Sequence, residues 1–338
     1  MAPPQPAITR KDVARYAGVS TAVVSYVVND GPKRVAPATQ ARVHEAIRVL
    51  GYRPNAAARA LKLGSSEMLA LVTPDNSNPF YGHLARVVEE AADESGYVML
   101  MANSNGLFSQ ERRHLRNLAS RRVDGVVLAS VVSEPDLSEL VSAHVPCVLL
   151  DQPVPTAGFT SVGVDLRGGA QLAVDHLIGH GHRNIGLAIG TTAANETDGR
   201  ELGWVDSLTA AGLQEGPIAR ANFDREGGYA AGQRLLASAD RPTAIFVSSD
   251  LQAVGVMRAL HEAGLGVPED IAVVSFDGSP ESEYTWPALT SVQQPLRAMA
   301  AAAVAALVKS DRAEPPEHMV FNVELIVRQS CGCRPVEG

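Results

Sequence analysis

A run of 20 residues near the amino terminus, from Thr9 to Val28, constrains the fold more than any other part of the sequence. Thr9 can cap a first helix, with Asp12 three residues later at the positive helix end. That helix is predicted to stop at Gly18, because glycine readily adopts the positive φ that a sharp turn needs. Ser20 can then cap a second helix that runs through Val28. Two short helices joined by a tight corner are typical of the helix-turn-helix unit, whose second helix lies in the DNA major groove.

The spacing divides this helix pair into an inward apolar face and an outward polar face. The expected inward residues are small or β-branched: Val13, Ala14, Ala17, Val19, Val24, Val27 and Val28. A side chain larger than Ala14 would hold the two helices apart. The residues expected to read base edges are Thr21, Ala22, Ser25 and Tyr26. Those expected to position the DNA backbone are Asn29, Lys33, Arg34 and Arg53.

Two further helices are predicted before the main body of the chain. One runs from about Pro37 to Leu50, with apolar residues at helical spacing, and closes a small three-helix core. Asn55 can cap a short alanine-rich helix that ends near Lys62. A helix this short is not stable alone, so we expect it to need a surface on which to form.

The charge is divided unequally along the chain. Residues 1–62 hold ten Lys or Arg against three Asp or Glu, whereas the remainder holds 19 against 34. Phosphate therefore attracts the amino-terminal part and repels the rest, and this field would orient the protein on DNA.

The strings KDVARYAGVS, VVSYVVN, GYRPN and ARAL carry a resemblance to a known family. In this order they closely resemble the amino-terminal headpiece and hinge of the LacI/GalR transcriptional regulators. The resemblance implies that the hinge helices pair in the DNA minor groove, where a leucine wedges open a central base step. Leu61 occupies the matching position, and an apolar wedge that unstacks bases gains wider contact in return.

Beyond residue 66, apolar segments of strand length alternate with amphipathic helical segments. Strands are predicted at 68–72, 98–102, 125–129, 147–150, 162–164, 185–189, 244–247, 271–275, 319–322 and 325–327. This alternation is typical of parallel sheets flanked by helices. The number of strands favours two doubly wound parallel sheets in series over one very wide sheet. We therefore predict an α/β protein with an all-α headpiece, a hinge helix and a two-lobed body.

The resemblance continues over the body through the strings NSNPFY, RVDGVVL, HLIGHGHRNIG, VVSFDGS and PALTSVQQP. These are similar to the periplasmic-binding-protein-like sensor of the same family, in which the chain crosses between lobes three times. The implied headpiece is 8–54, the hinge 55–65 and the sensor body 66–332. The first lobe would take 66–163 and 293–322, and the second 164–292 and 323–332.

Ligands of open parallel sheets bind beyond the carboxyl ends of the strands, and clefts between lobes favour pockets. The effector-binding candidates therefore follow predicted strands: Asn76, Phe80, Tyr81, Gln152, Asp165, Glu196, Arg200, Phe223, Asp250 and Asp277. Each carboxylate among them could instead cap a helix or form an ion pair, and Asp250 is a candidate cap because it begins a predicted helix.

The resemblance assigns ligand contacts to several of these positions. Phe80 and Tyr81 match paired aromatics that stack on a ligand, Arg200 matches a ligand-holding arginine, and Asp165, Asp277 and Phe223 match pocket contacts. Relatives that bind purines carry an arginine and a threonine shortly before the position of Arg200. This chain has Ala194 and Glu196 there, which favours a sugar or polyol over a purine.

Several apparent sites are assigned no chemistry. His176 and His180 are four residues apart on a predicted helix, but a histidine near a helix end is stabilised without metal. Three cysteines, Cys147, Cys331 and Cys333, suggest neither a disulfide framework nor a four-ligand zinc site. No nucleophile elbow, phosphate loop or dinucleotide fingerprint is present. We therefore predict no catalytic residue, no metal site and no cofactor.

The predicted function is a repressor that binds a palindromic operator as a homodimer and responds to a small-molecule effector. The effector is expected to be a sugar, acting either as inducer or as corepressor; a nucleobase or other metabolite is the alternative. A solute receptor would need an export signal, which MAPPQPAITR does not resemble, and an enzyme would need a catalytic motif. The tail after the last predicted strand is too short for a tetramerising bundle, and no membrane span is predicted. We expect a cytoplasmic, nucleoid-associated protein.

Overall fold

The computed structural model describes residues 8–28, 34–53, 60, 64–132, 134–152, 155–191, 197–309 and 315–333. The chain forms two compact units, Met1–Ser66 and Glu67–Gly338. The predicted residues Asn29, Lys33, Asn55, Leu61 and Glu196 lie outside the described ranges, as does Ala194.

Within its described residues, the first unit contains three helices packed around a small apolar core. They are α1 (Arg10–Ala17), α2 (Thr21–Val28) and α3 (Pro37–Leu50). The buried core consists of small and β-branched side chains from all three helices: Val13, Ala14, Ala17, Val24, Val27, Val43 and Ala46. Val19 and Val28 are partly buried and pack against this core, so the predicted inward face is confirmed.

The caps of the helix pair follow the sequence prediction. The Asp12 carboxylate accepts hydrogen bonds from the backbone N–H of Thr9 at 3.0 Å and from its hydroxyl at 2.6 Å. Gly18 ends α1 with φ of 63°, and the Ser20 hydroxyl accepts from the backbone N–H of Val23 at 3.3 Å. These local bonds fix the corner at which α1 gives way to α2.

The second unit contains two sheets, and the first sheet is entirely parallel. Its strand order is β11-β5-β4-β3-β1-β2. The strands are β1 (Met68–Thr73), β2 (Val98–Asn103), β3 (Gly125–Ala129), β4 (Cys147–Leu150), β5 (Thr160–Val164) and β11 (His318–Phe321). The helices that pack in this lobe are α4 (Pro79–Glu94), α5 (Phe108–Arg121), α6 (Ser138–Ala143) and α12 (Leu296–Val308).

The second sheet has the order β12-β10-β9-β8-β6-β7, and only its β10–β12 pair is antiparallel. The strands are β6 (Ile185–Gly190), β7 (Ile218–Ala221), β8 (Ala244–Val247), β9 (Ala272–Asp277), β10 (Thr290–Gln293) and β12 (Glu324–Ile326). The helices of this lobe are α7 (Leu166–Gly179), α8 (Gly199–Ala210), α9 (Arg225–Leu236), α10 (Asp250–Glu262) and the short α11 (Glu281–Tyr284). The predicted α/β fold with two doubly wound sheets is confirmed.

The chain passes between the two sheets three times, after β5, after β10 and after β11. One apolar cluster draws buried side chains from both lobes, including Leu71 of the first and Phe276 of the second. Trp204 is fully buried in this cluster, and its indole N–H donates to the carbonyl of Ile185 at 3.2 Å. Trp204 is therefore a core residue.

Three elements were missed by the sequence analysis: β7, β10 and α11. Both strands are short, and β7 is an edge strand of which only Ala219 is fully buried. β10 has the sequence TSVQ, and two of its three buried residues, Thr290 and Ser291, are polar, so the strand lacks an apolar run. Within the described residues, no helix is long and apolar enough to cross a membrane.

Candidate functional site

The outward face of α2 carries the residues expected to read DNA. Thr21 and Ala22 are exposed, and Ser25 and Tyr26 are half-buried. Arg34 and Arg53 are also exposed. A helix whose apolar face is fixed by packing and whose opposite face is accessible suits insertion into a major groove.

A second candidate site lies in the body, where several side chains follow the carboxyl ends of strands. Asp151 and Gln152 follow β4, Phe223 follows β7, and Asp277 ends β9. Arg200 is near the start of α8, after the loop that leaves β6. The strands of parallel sheets end at one edge, which is where such folds bind ligands.

Arg200 is the central cation of this site, and its side chain is only 13% exposed. Its Nε and Nη2 donate to the two carboxylate oxygens of Asp198 at 2.9 and 2.8 Å, and Nη1 donates to the carbonyl of Ser248 at 2.8 Å. Burial disfavours the charge, but Asp198 outweighs it and raises the pKa of Arg200. Three of the five N–H groups of the guanidinium are thus engaged by described residues, and the cation is held rigidly.

Two aromatic rings support the same guanidinium. The Arg200 Cζ lies 5.2 Å from the ring centre of Phe223 and 5.6 Å from that of Phe276. Gly190 makes room for Phe223, because a Cβ at that position would lie 1.8 Å from a ring carbon. Stacking on aromatic faces stabilises a desolvated cation.

The first lobe contributes Tyr81 and Asp151 to the same electrostatic cluster. The Tyr81 hydroxyl donates to Oδ2 of Asp151 at 3.4 Å. Burial raises the pKa of Asp151 to about 6, although Arg200 of the second lobe opposes this rise. Burial, and next Asp151, raises the pKa of Tyr81. Charges from the two lobes therefore act on one another.

Asp277 contributes a second carboxylate from the end of β9. Burial, and next the charge of Asp250, raises its pKa well above the ordinary value. Its backbone has φ of 119°, a conformation that is costly for a residue with a side chain and that occurs often at ligand sites. Gln294 donates to Oδ1 of Asp277 at 3.3 Å, while the buried Gln294 Oε1 has no hydrogen-bond partner among the described residues. The cluster thus offers an acceptor to a hydroxyl donor.

Other predicted residues are engaged within their own lobe. Phe80 is buried in the apolar core and meets the Tyr81 ring edge-on at 5.1 Å. Gln152 donates to the carbonyl of Ser130 at 3.0 Å, and the exposed Asn76 accepts from the hydroxyl of Thr73. The effector roles of Phe80, Gln152 and Asn76 therefore stay predictions.

Asp165 and Asp250 bind backbone or side-chain groups of the fold itself. Asp165 caps α7, with its carboxylate accepting from the N–H of Gly168 at 2.9 Å. The suggestion that Asp250 is a helix cap is wrong, because Ser249 occupies that position. Asp250 is buried and instead accepts hydrogen bonds from three serines: Ser275 at 2.5 Å, Ser291 at 2.6 Å and the backbone N–H of Ser279 at 2.6 Å.

Sequence reasoning missed Asp151, Asp198 and Gln294. Asp151 directly follows the apolar strand β4, so its position carried the same signal as the neighbouring Gln152. Asp198 lies two residues before Arg200, and its pairing with that side chain depends on its role as the cap of α8. Only the fold places Gln294 beside Asp277, since 17 residues separate them.

Two family models match parts of the chain. The family described as bacterial regulatory proteins, lacI family, matches residues 9–55, and a periplasmic binding protein-like domain matches residues 174–331. The HTH-type transcriptional repressor PurR of Edwardsiella ictaluri (strain 93-146) is 35% identical over 334 residues, covering 97% of this chain and 98% of that protein.

Two solved structures extend the similarity. A transcriptional regulator CelR–cellobiose complex is 33% identical, with a TM-score of 0.70, and covers 96% of this chain and 100% of that one. The lac repressor dimer bound to operator and the anti-inducer ONPF is 26% identical, with a TM-score of 0.86, and covers 96% and 99%. The chain therefore belongs to the LacI family of bacterial regulatory proteins and is a DNA-binding transcriptional repressor.

Proposed function

We propose that this repressor binds a near-palindromic operator as a homodimer and that a sugar in the cleft of the body controls its affinity for DNA. The observation that carries the effector half of this proposal is the cluster formed by Tyr81 and Asp151 of one lobe and Arg200 and Asp277 of the other. A ligand that bonds to both sides favours one arrangement of the lobes. To act as a regulator, it must bind the two arrangements unequally, and a 100-fold preference corresponds to about 2.7 kcal/mol.

The chemistry of the cleft favours a neutral ligand with many hydroxyl groups. Asp151, Asp277 and the free oxygen of Gln294 are acceptors, whereas the only cation in the cluster described above, Arg200, is already paired with Asp198. Sugar hydroxyls donate to carboxylates and accept from a guanidinium. The relative of similar length that was solved with cellobiose supports the same class. A nucleobase corepressor is the alternative.

The effector class can be tested by thermal unfolding of the full chain against a panel of sugars and nucleobases. A sugar that binds the folded state raises the melting temperature in a concentration-dependent way. Arg200→Lys and Asp277→Asn should abolish this shift, because Lys cannot form the bidentate pair and Asn loses one acceptor. Glu89→Gln on α4 is an exposed control outside the cluster. A shift produced only by nucleobases would favour the corepressor alternative, and an undiminished shift in both cleft variants would remove these residues from the site.

The DNA half of the proposal rests on α2 and on the hinge, for which we propose residues 55–65. Thr21, Ala22, Ser25 and Tyr26 would contact base edges, and Leu61 with its dimer mate would open the central step. Leu61→Ala should weaken specific operator binding far more than nonspecific binding in fluorescence anisotropy titrations. Equal losses on both duplexes would remove the wedge role, and affinity that does not fall with salt would contradict phosphate binding by the basic amino-terminal part. A cytoplasmic location follows from this proposed function.

A further inference from the structure

Four potential metal ligands converge at one end of the second lobe, away from the cleft cluster. His176 lies in the last turn of α7, and His180 directly follows that helix. Cys331 and Cys333 lie in the segment after β12. The ligand atoms of all four residues lie within 4.8 Å of one another. The sequence analysis treated the histidines and the cysteines separately, because more than 150 residues separate the two pairs.

The distances are close to those around a single tetrahedral ion, and small side-chain rotations would bring all four ligand atoms to it. The Cys333 Sγ lies 3.1 Å from the His180 Nε2 and 3.7 Å from the His176 Nε2. In a tetrahedral zinc site with the usual bond lengths, neighbouring ligand atoms are about 3.3 to 3.8 Å apart. The two imidazole rings lie 4.7 Å apart and are tilted by 54°, so that both can direct a nitrogen toward a common point.

The backbone holds each pair of ligands in place. The two histidines are four residues apart and share one face at the carboxyl end of α7. Gly332 has φ of 92°, a conformation that suits glycine and allows the chain to reverse between the two cysteines. The buried Cys331 sulfur accepts from the Thr290 hydroxyl at 3.1 Å, which positions it before any ion binds.

We propose that His176, His180, Cys331 and Cys333 form a structural Zn²⁺ site that fastens the carboxyl-terminal segment to α7. Two thiolates and two imidazoles at tetrahedral spacing are the donor set that selects zinc over hard cations such as Mg²⁺. Because protein side chains supply all four ligands, the ion has no open coordination position for a substrate, and its role is structural. Cys333 also borders a surface pocket of about 560 Å³, which gives the ion a route to the ligands.

The test is metal binding by the reduced, metal-stripped full chain. After dialysis against Zn²⁺, we expect one zinc per chain by elemental analysis and a rise in melting temperature. Co²⁺ should give the visible absorption bands of tetrahedral coordination with thiolate ligands. His180→Gln and Cys333→Ser, both at positions that are not fully buried, should lower zinc affinity by about tenfold or more, since even losing an outer-shell partner costs that much.

Two variants serve as controls. His182→Gln alters a neighbouring histidine that contacts the Thr243 hydroxyl, and Cys147→Ala alters the cysteine of β4. Both should retain one zinc per chain. The proposal is overturned if the wild-type chain binds no zinc after reduction, or if His180→Gln and Cys333→Ser bind it as tightly as the controls do. An octahedral cobalt spectrum would equally overturn it.

Discussion

Replacing Asp250 with asparagine distinguishes a structural carboxylate from an effector contact. The side chain is 1% exposed, and its two oxygens accept from Ser275, Ser291 and the backbone N–H of Ser279. Asparagine has one acceptor oxygen. If that oxygen keeps the two serine hydroxyls, the Ser279 N–H then faces the donating amide group, and a buried donor loses its partner.

The magnitude follows from these bonds. A hydrogen bond to a charged group contributes about 1.5 to 3 kcal/mol, and the stranded N–H carries a desolvation penalty of about 1 to 3 kcal/mol. Burial raises the pKa of Asp250, which means that the buried negative charge destabilises the folded state. The neutral amide of asparagine removes this destabilisation and offsets part of the loss. We therefore expect a net loss of about 2 kcal/mol in the free energy of unfolding at pH 7.

The assay is urea unfolding followed by the fluorescence of Trp204, which is fully buried in the same lobe. Asp165→Asn is the matched control, because it makes the same chemical change at an exposed helix cap where asparagine is an equally good residue. The control should change the free energy of unfolding by less than about 0.5 kcal/mol. If Asp250→Asn lowers the free energy of unfolding by no more than this amount, the structural role is refuted and Asp250 is again a candidate effector contact.

Three further predictions concern the cleft and the headpiece. The pKa of Asp151 is raised from 3.8 to about 6, so the free energy of unfolding decreases as the pH rises through this range, by about 3 kcal/mol at 1.36 kcal/mol per unit. Asp151→Asn should remove this decrease when urea unfolding is measured as a function of pH, and identical pH profiles for the two proteins would contradict the shift. Gly190→Ala should displace Phe223 from Arg200 and weaken binding of the active sugar by about tenfold, a loss of about 1.4 kcal/mol. Operator affinity in anisotropy titrations should not change, and unaltered sugar binding would show that the ring is dispensable. Ala14→Leu should overpack the headpiece core by about 1 to 3 kcal/mol and reduce operator affinity, and full affinity would show that the helices tolerate separation.

The sequence was most informative where a local signal coincides with a structural requirement. The turn at Gly18 needs a positive φ, and the caps at Thr9 and Ser20 satisfy backbone groups within three residues, so the headpiece could be predicted before its core was known. The central strands of each sheet are buried on both faces and appear as apolar runs, which is why β3 and β8 were found at their observed bounds.

The sequence was least informative where a residue's partner is distant. β10 lacks an apolar run because Thr290 and Ser291 turn toward Cys331 and Asp250, which lie about 40 residues away in either direction. Asp250 looked like a helix cap until serines from β9, from β10 and from the loop after β9 were placed around it. Likewise, nothing in the spacing of the histidines and cysteines indicates that they meet, since that depends on the packing of the chain end against α7.

The path of the chain between the sheets has a consequence for biosynthesis. β11 and β12 are separated by two residues, yet each occupies an outer position in a different sheet. During translation, each sheet has five of its six strands before residue 318, and both gain their last strand only when the same short segment leaves the ribosome. A message cut short before residue 318 would yield a polypeptide in which β5 and β10 become edge strands with unpaired backbone groups, which are prone to aggregate.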